Sequence, residues 1–252
     1  MKNTTTNVSL NMRVKILGIM FWLTLIVPLI NYIFVFQKFP DLDNPIETAN
    51  NILDNEFLFR INIINGIITA LIVLGLALAL FSLLKPINKN LARFALFLKL
   101  TEASLWVVIA LGHFASLLIL KDNSLLDRFE PGQLQSLIGL FVNEHLLITA
   151  FPGVLHGLGL TIFMYLLLKS KLISNKLALF GFISFALVFV YDALFILSPY
   201  TAEVTVVQLI GWVPSKLLEI VFGGWLLTQG INVNINDGPE LVCIVLSSRN
   251  ER

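Results

Sequence analysis

The run Val204–Leu227, VTVVQLIGWVPSKLLEIVFGGWLL, is long and apolar enough to span a bilayer, yet it carries Lys216 and Glu219 near its middle. An ionisable group at mid-membrane depth costs about 2.5 to 3.5 kcal/mol on insertion scales, while each Leu, Ile, Val or Phe returns only about 0.3 to 0.6. Such a helix tolerates both charges if they turn away from lipid. At a spacing of three, Lys216 and Glu219 share a helix face and can pair. Pro214, just before them, removes the helical bond to the carbonyl of Ile210. Other helices must then supply polar company at this depth, which predicts a membrane bundle built around a polar layer.

Composition agrees with that reading. The chain has 57% hydrophobic and 13% charged residues, with a mean hydropathy of +0.85, far outside the soluble range. With 17 basic against 16 acidic residues the net charge is +1, so there is no basic excess for nucleic acid; the bilayer is the expected partner. Cys243 is the single cysteine, which excludes an intramolecular disulfide and a cysteine metal cluster.

Working outward, apolar runs able to cross about 30 Å of hydrocarbon fall at Ile16–Phe36, Ile61–Leu84, Phe94–Leu120, Leu146–Leu168, Leu177–Leu197 and Val204–Leu227. The fold expected is all-α, an integral membrane bundle of six transmembrane helices over residues 1–230, followed by a polar tail, 231–252. Lys2, Arg13 and Lys15, then Lys85, Lys89 and Arg93, then Lys169, Lys171 and Lys176 mark one side; the other loops carry Asp41, Asp43, Glu47, Asp54, Glu56, Asp122, Asp127, Glu130 and Glu203 against fewer cations. By the positive-inside rule the basic side is cytoplasmic, with both termini. In the first outer loop, Glu47 to Phe59 places apolar residues near helical spacing, which predicts a short interfacial helix. A helix from Gln133 is expected to run into the fourth span, with a break at Pro152-Gly153.

A rise of about 1.5 Å per residue gives each buried polar group a depth from the outer end: about 8 Å for Asp192, 10 Å for His113, 15 Å for His156 and 18 Å for Lys216, with Glu219 deeper. Four helices are thus expected to share one polar layer. Lys99 and Glu102, also three apart, count as a separate pair near the cytoplasmic boundary. The ligand- or proton-binding candidates are His156, Asp192, Lys216 and Glu219. His113, His156 and Asp192 are the candidate metal ligands, since two histidines and a carboxylate can hold zinc, although no helical His pair such as HExxH supports them. His145 and His156, eleven residues apart, share a face but lie about 16 Å apart along the axis, too far for one ion. Gly153 and Gly157 at a spacing of four predict close approach of another helix. No nucleophile elbow, phosphate loop or dinucleotide fingerprint occurs, so soluble-type catalysis has no support and no cofactor is indicated.

Several short motifs resemble the bacterial membrane proteins grouped as domain of unknown function 4386. They are Ala49-Asn50-Asn51-Ile52-Leu53 with Leu58-Phe59-Arg60, Leu84-Lys85-Pro86-Ile87-Asn88-Lys89-Asn90-Leu91-Ala92, Leu155-His156-Gly157, Tyr191-Asp192, and Glu219 ahead of Trp225-Leu226-Leu227. The resemblance covers roughly Val14 to Gly230 and implies a multi-pass protein of the bacterial cytoplasmic membrane without an assigned activity. The tail from Asn232 to Arg252 is longer than the family pattern.

The leading functional expectation is a bundle whose polar layer binds or transports a small ligand, lipid headgroup or proton, with Lys216 selecting or gating, Glu219 as its counter-ion, and His156 with Asp192 as a hydrogen-bonding pair. Two alternatives stand beside it. One is an intramembrane metal-dependent hydrolase using His113, His156 and Asp192. The other is a structural or regulatory partner acting through Phe39–Phe59 or the tail.

Overall fold

A computed structural model describes residues 2–122, 124, 128–130, 132–202 and 204–229. The tail 231–252 with Cys243, and the loop residues Asp127, Pro131 and Glu203, lie outside them. In chain order the helices are α1 (Lys2–Phe34), a short 3-10 turn (Phe36–Lys38), α2 (Pro45–Asp54), α3 (Glu56–Leu84), α4 (Lys89–Lys121), α5 (Gln133–Asn143), α6 (His145–Ser170), α7 (Asn175–Leu197), α8 (Pro199–Ala202) and α9 (Thr205–Thr228). No strand occurs among the described residues. Six helical stretches are long and apolar enough to cross a membrane: Val14–Lys38, Glu56–Leu84, Lys89–Lys121, Gln133–Ser170, Asn175–Leu197 and Thr205–Thr228. They coincide with the six apolar runs of the sequence.

Local chemistry sets the helix ends. The Lys85-Pro86-Ile87-Asn88 turn stops α3, and the Asn88 side chain accepts from the Leu91 amide at 3.0 Å to cap α4. Ser174 caps α7 in the same way through the Leu177 amide at 3.3 Å. Asn44 caps α2 with Pro45 in its first turn, where a missing N–H loses nothing. The helix expected over Glu47 to Phe59 is therefore present but divided: α2 ends at Asp54, and Phe57–Phe59 already belong to α3.

The six long helices close into a ring in which each packs on the next, α1 on α3, α3 on α4, α4 on α6, α6 on α7, α7 on α9, and α9 back on α1. One end of the ring carries the basic turns between α3 and α4 and between α6 and α7; the other carries α2 and α5. Toward the basic end the interior is apolar, with Phe21, Leu80, Phe163, Phe185, Phe222 and Leu226 almost without exposure. The outer wall is apolar as well, for Leu71, Leu111, Val206 and Val221 are all exposed, as a lipid-facing surface requires.

The expected break at Pro152-Gly153 is corrected: α6 runs through Pro152, and the helical stretch is interrupted at Glu144 instead. The cause lies in α5, which is held across α2. The Thr48 hydroxyl donates to Asn143 Oδ1 at 2.8 Å, Asn143 Nδ2 donates to the Asp41 carbonyl at 2.7 Å, and Gly139 admits the Pro45 carbonyl against its Cα. These contacts fix α5 on α2 just where the stretch is interrupted, whereas the bond lost at Pro152 leaves α6 continuous.

Gly157 makes a second contact of this kind, since a Cβ there would run into the backbone of Phe189 on α7. Without it α6 and α7 could not close. Gly157→Ala is expected to destabilise the protein by about 1 to 3 kcal/mol in detergent. Gly75→Ala, whose Cβ would meet only the flexible Met20 Sδ at 3.3 Å, should leave the thermal unfolding midpoint within error of wild type.

Candidate functional site

Inside the ring, two Lys-Glu pairs on different helices meet one imidazole. Lys99 and Glu102, three apart on α4, form an ion pair with both side chains buried. On α9, Lys216 Nζ donates to Glu219 Oε1 at 2.8 Å; Glu219 is buried while the Lys216 side chain keeps 31% of its exposure. His156 of α6 stands between them. Its Nδ1 lies 3.0 Å from Glu102 Oε1 and 3.2 Å from Lys99 Nζ. Its Nε2 faces Glu219 Oε1 at 3.9 Å, a small side-chain shift short of a hydrogen bond.

His156 Nδ1 therefore sits between an acceptor and a donor. With a proton on Nδ1, the ring donates to Glu102 and presents a bare Nε2 to Glu219. With the proton on Nε2, Nδ1 accepts from Lys99 and Nε2–H points at the Glu219 carboxylate. Both neutral tautomers find a partner, and the two lysines and two glutamates balance in charge.

An aromatic wall completes the site. The Trp212 ring tilts against His156 with centroids 6.3 Å apart, and Lys216 Nζ lies 4.8 Å from the Trp212 ring centroid. Phe185 meets His156 edge-on at 5.7 Å. Asp192 lies one turn further along, its Oδ2 against Gly153, where a Cβ would occupy its place. Asp192 thus flanks the site at Gly153, one turn of α6 from His156, rather than as the direct partner of His156 expected from sequence.

Two placements differ from the sequence reading. Lys99 and Glu102 are not a separate pair but half of the His156 cluster. The depth count failed because α4 has 33 residues, about 50 Å of helix for about 30 Å of hydrocarbon, so counting from its outer end misplaces everything along it. His113, in turn, does not join His156 and Asp192. It lies eleven residues from Glu102 on the same helix, about 16 Å away. There its Nδ1 accepts from Asn62 Nδ2 at 3.2 Å, Asn62 Oδ1 accepts from Asn31 at 2.8 Å, and its ring faces His145 at 5.5 Å. The three candidate metal ligands are thus divided between two layers, and among the described residues no three His, Cys, Asp or Glu groups are placed to hold one ion. Trp212 escaped the sequence reading because nothing marks it among apolar neighbours. The Lys-x-x-Glu spacing repeated on α4 and α9 was the available signal for the paired clusters.

Residues 16–230 match the family described as Domain of unknown function (DUF4386). The chain belongs to this family. In this DUF4386 member the Leu-His-Gly, Tyr-Asp and Glu219 motifs, scattered over three helices, come together around His156: the histidine is central, Gly157 lets α7 close, and Asp192 and Glu219 flank it. No curated protein and no solved structure matches the chain.

Removing one partner of a buried ion pair strands the other, at about 3 to 5 kcal/mol. Glu102→Gln should accordingly lower the unfolding midpoint steeply by leaving Lys99 without its counter-ion, and Lys99→Met combined with Glu102→Leu should recover most of the loss. Thermal unfolding in detergent of the single and double variants checks both.

Proposed function

We propose that this chain is a multi-pass protein of the bacterial cytoplasmic membrane whose polar layer binds and passes a proton at Glu102, His156 and Glu219. The observation that supports it best is the position of His156 Nδ1 between Glu102 and Lys99 while Nε2 faces Glu219. A proton taken up at Nε2 from the Glu219 side and another released from Nδ1 to Glu102 leave the ring in the opposite tautomer, so one imidazole links two carboxylates. Lys99 holds Glu102 and Lys216 holds Glu219. An extra proton unbalances the cluster, and burial in hydrocarbon disfavours that. Uptake is therefore coupled to a compensating move, and Lys216, the partly exposed member, is the group free to make it. Intramembrane ionisable groups have this kind of role as their default.

In this reading the basic turns and both termini face the cytoplasm, α2 lies at the outer interface, and residues 1–230 carry the function, with no part assigned to the tail.

Trp212 is a built-in reporter, because an imidazolium quenches an adjacent indole. With the full chain in lipid nanodiscs, the fluorescence attributable to Trp212, isolated by difference from Trp212→Phe, should be dimmer in acid than in alkali. His156→Gln should abolish that change and Glu219→Gln should displace its midpoint. A Trp212 signal independent of pH, or one that survives intact in His156→Gln, would overturn the proposal.

A further inference from the structure

A proton reaches a buried imidazole only through polar groups or water, and the two ends of the ring differ in what they offer. Toward the basic end, α6 continues as Leu160, Phe163, Met164 and Leu167, all buried in the apolar core. Toward the α2–α5 end the same helix is polar along one stripe. His145 and His156 are eleven residues, or three turns, apart and fall on one face. Between them Pro152 cannot donate to the carbonyl of Ile148, and Gly153 receives the Asp192 carboxylate. His145 Nδ1, Asp192 Oδ2 and His156 Nε2 are all buried without a protein hydrogen-bond partner. Buried polar atoms are satisfied by ordered water where protein does not reach them, and here, with the Ile148 carbonyl between the levels of His145 and Gly153, they are spread along three turns of α6.

We infer that this stripe of α6 is a hydrated proton path from the α2–α5 end of the bundle to His156, with Asp192 as its midway relay; the inference rests on the proton reading of the His156 site. At the head of the path His145 faces His113 of α4, itself bonded to Asn62 of α3, and Phe36 of the 3-10 turn, whose ring centroid is 4.2 Å away. Midway, Asp192 faces Gly153 on its α6 side and Trp212 on its α9 side, with Lys216 as the charge nearest to it. At the foot, His156 meets Lys99, Glu102 and Glu219. A proton taken by Asp192 from water on the His145 side leaves the same carboxyl to water on the other, and His156 Nε2 accepts it. Only O–H and N–H bonds are made and broken, and one proton enters for each that moves on.

The test is the rate at which the Trp212 signal relaxes after a pH jump, with the full chain in nanodiscs. His145→Leu, which puts an apolar plug at the head of the path, should slow relaxation by about tenfold or more, the kinetic equivalent of one lost buried hydrogen bond, while leaving the midpoint where it was. His145→Gln, which restores a polar atom, should recover the rate; a merely structural role for His145 would not divide rate from midpoint in this way. Equal relaxation in wild type and His145→Leu, with the pH signal intact, would overturn the path alone. No pH signal in wild type would overturn the path together with the proton reading beneath it.

Discussion

Hydrocarbon does not solvate charge, and four charged groups with one imidazole stand in the middle of this ring. Every other feature accommodates that constraint. Lys99 and Glu102 pair within one turn of α4, Lys216 and Glu219 within one turn of α9, and His156 ties the two pairs together from a third helix. The aromatic wall of Trp212 and Phe185 packs against the imidazole. Gly157 brings α7 close enough to hold that wall. An ion pair confined to one turn needs no other helix, but an imidazole whose two nitrogens meet different pairs does, and that shared ring sets how α4, α6 and α9 must register.

The glycines and prolines divide this work. Gly153 and Gly157 give up side chains so that Asp192 and the α7 backbone can approach, while Pro152 and Pro214 sit inside helices that remain continuous. A proline whose lost hydrogen bond lies within a packed bundle is tolerated where an exposed one would break the helix. The interruption at Glu144 therefore has a tertiary origin, in the clasp of Asp41, Thr48 and Asn143 that fixes α5 on α2.

Much of this was legible in the residues. Each of the six membrane-length helices follows from an apolar run long enough to cross the hydrocarbon. The Lys216-Glu219 face and the close approach at Gly157 follow from helical spacing, which is local. Assignments that required a common depth across helices were less secure. Counting residues sets Lys99 apart from His156 and joins His113 to it, because helices of unequal length share no origin from which residues can be counted. Trp212 and the α2–α5 clasp depend on side-chain encounters between segments distant in sequence, and no periodicity announces them.

The ring closes where its first helix meets its last: Gly18 and Gly223 allow α1 and α9 into contact, and Trp22 Nε1 donates to the Ile220 carbonyl at 3.1 Å. A chain made from its N-terminus must therefore hold an unfinished arc of helices, with His156 and Glu102 facing an open seam, until α9 arrives. During synthesis α1 waits for a neighbour nearly two hundred residues away, and the second ion pair reaches the membrane only after the first is in place. The last step of biogenesis thus both seals the wall and completes the charge balance inside it, so a ribosome that stops early leaves a seam for quality control to recognise.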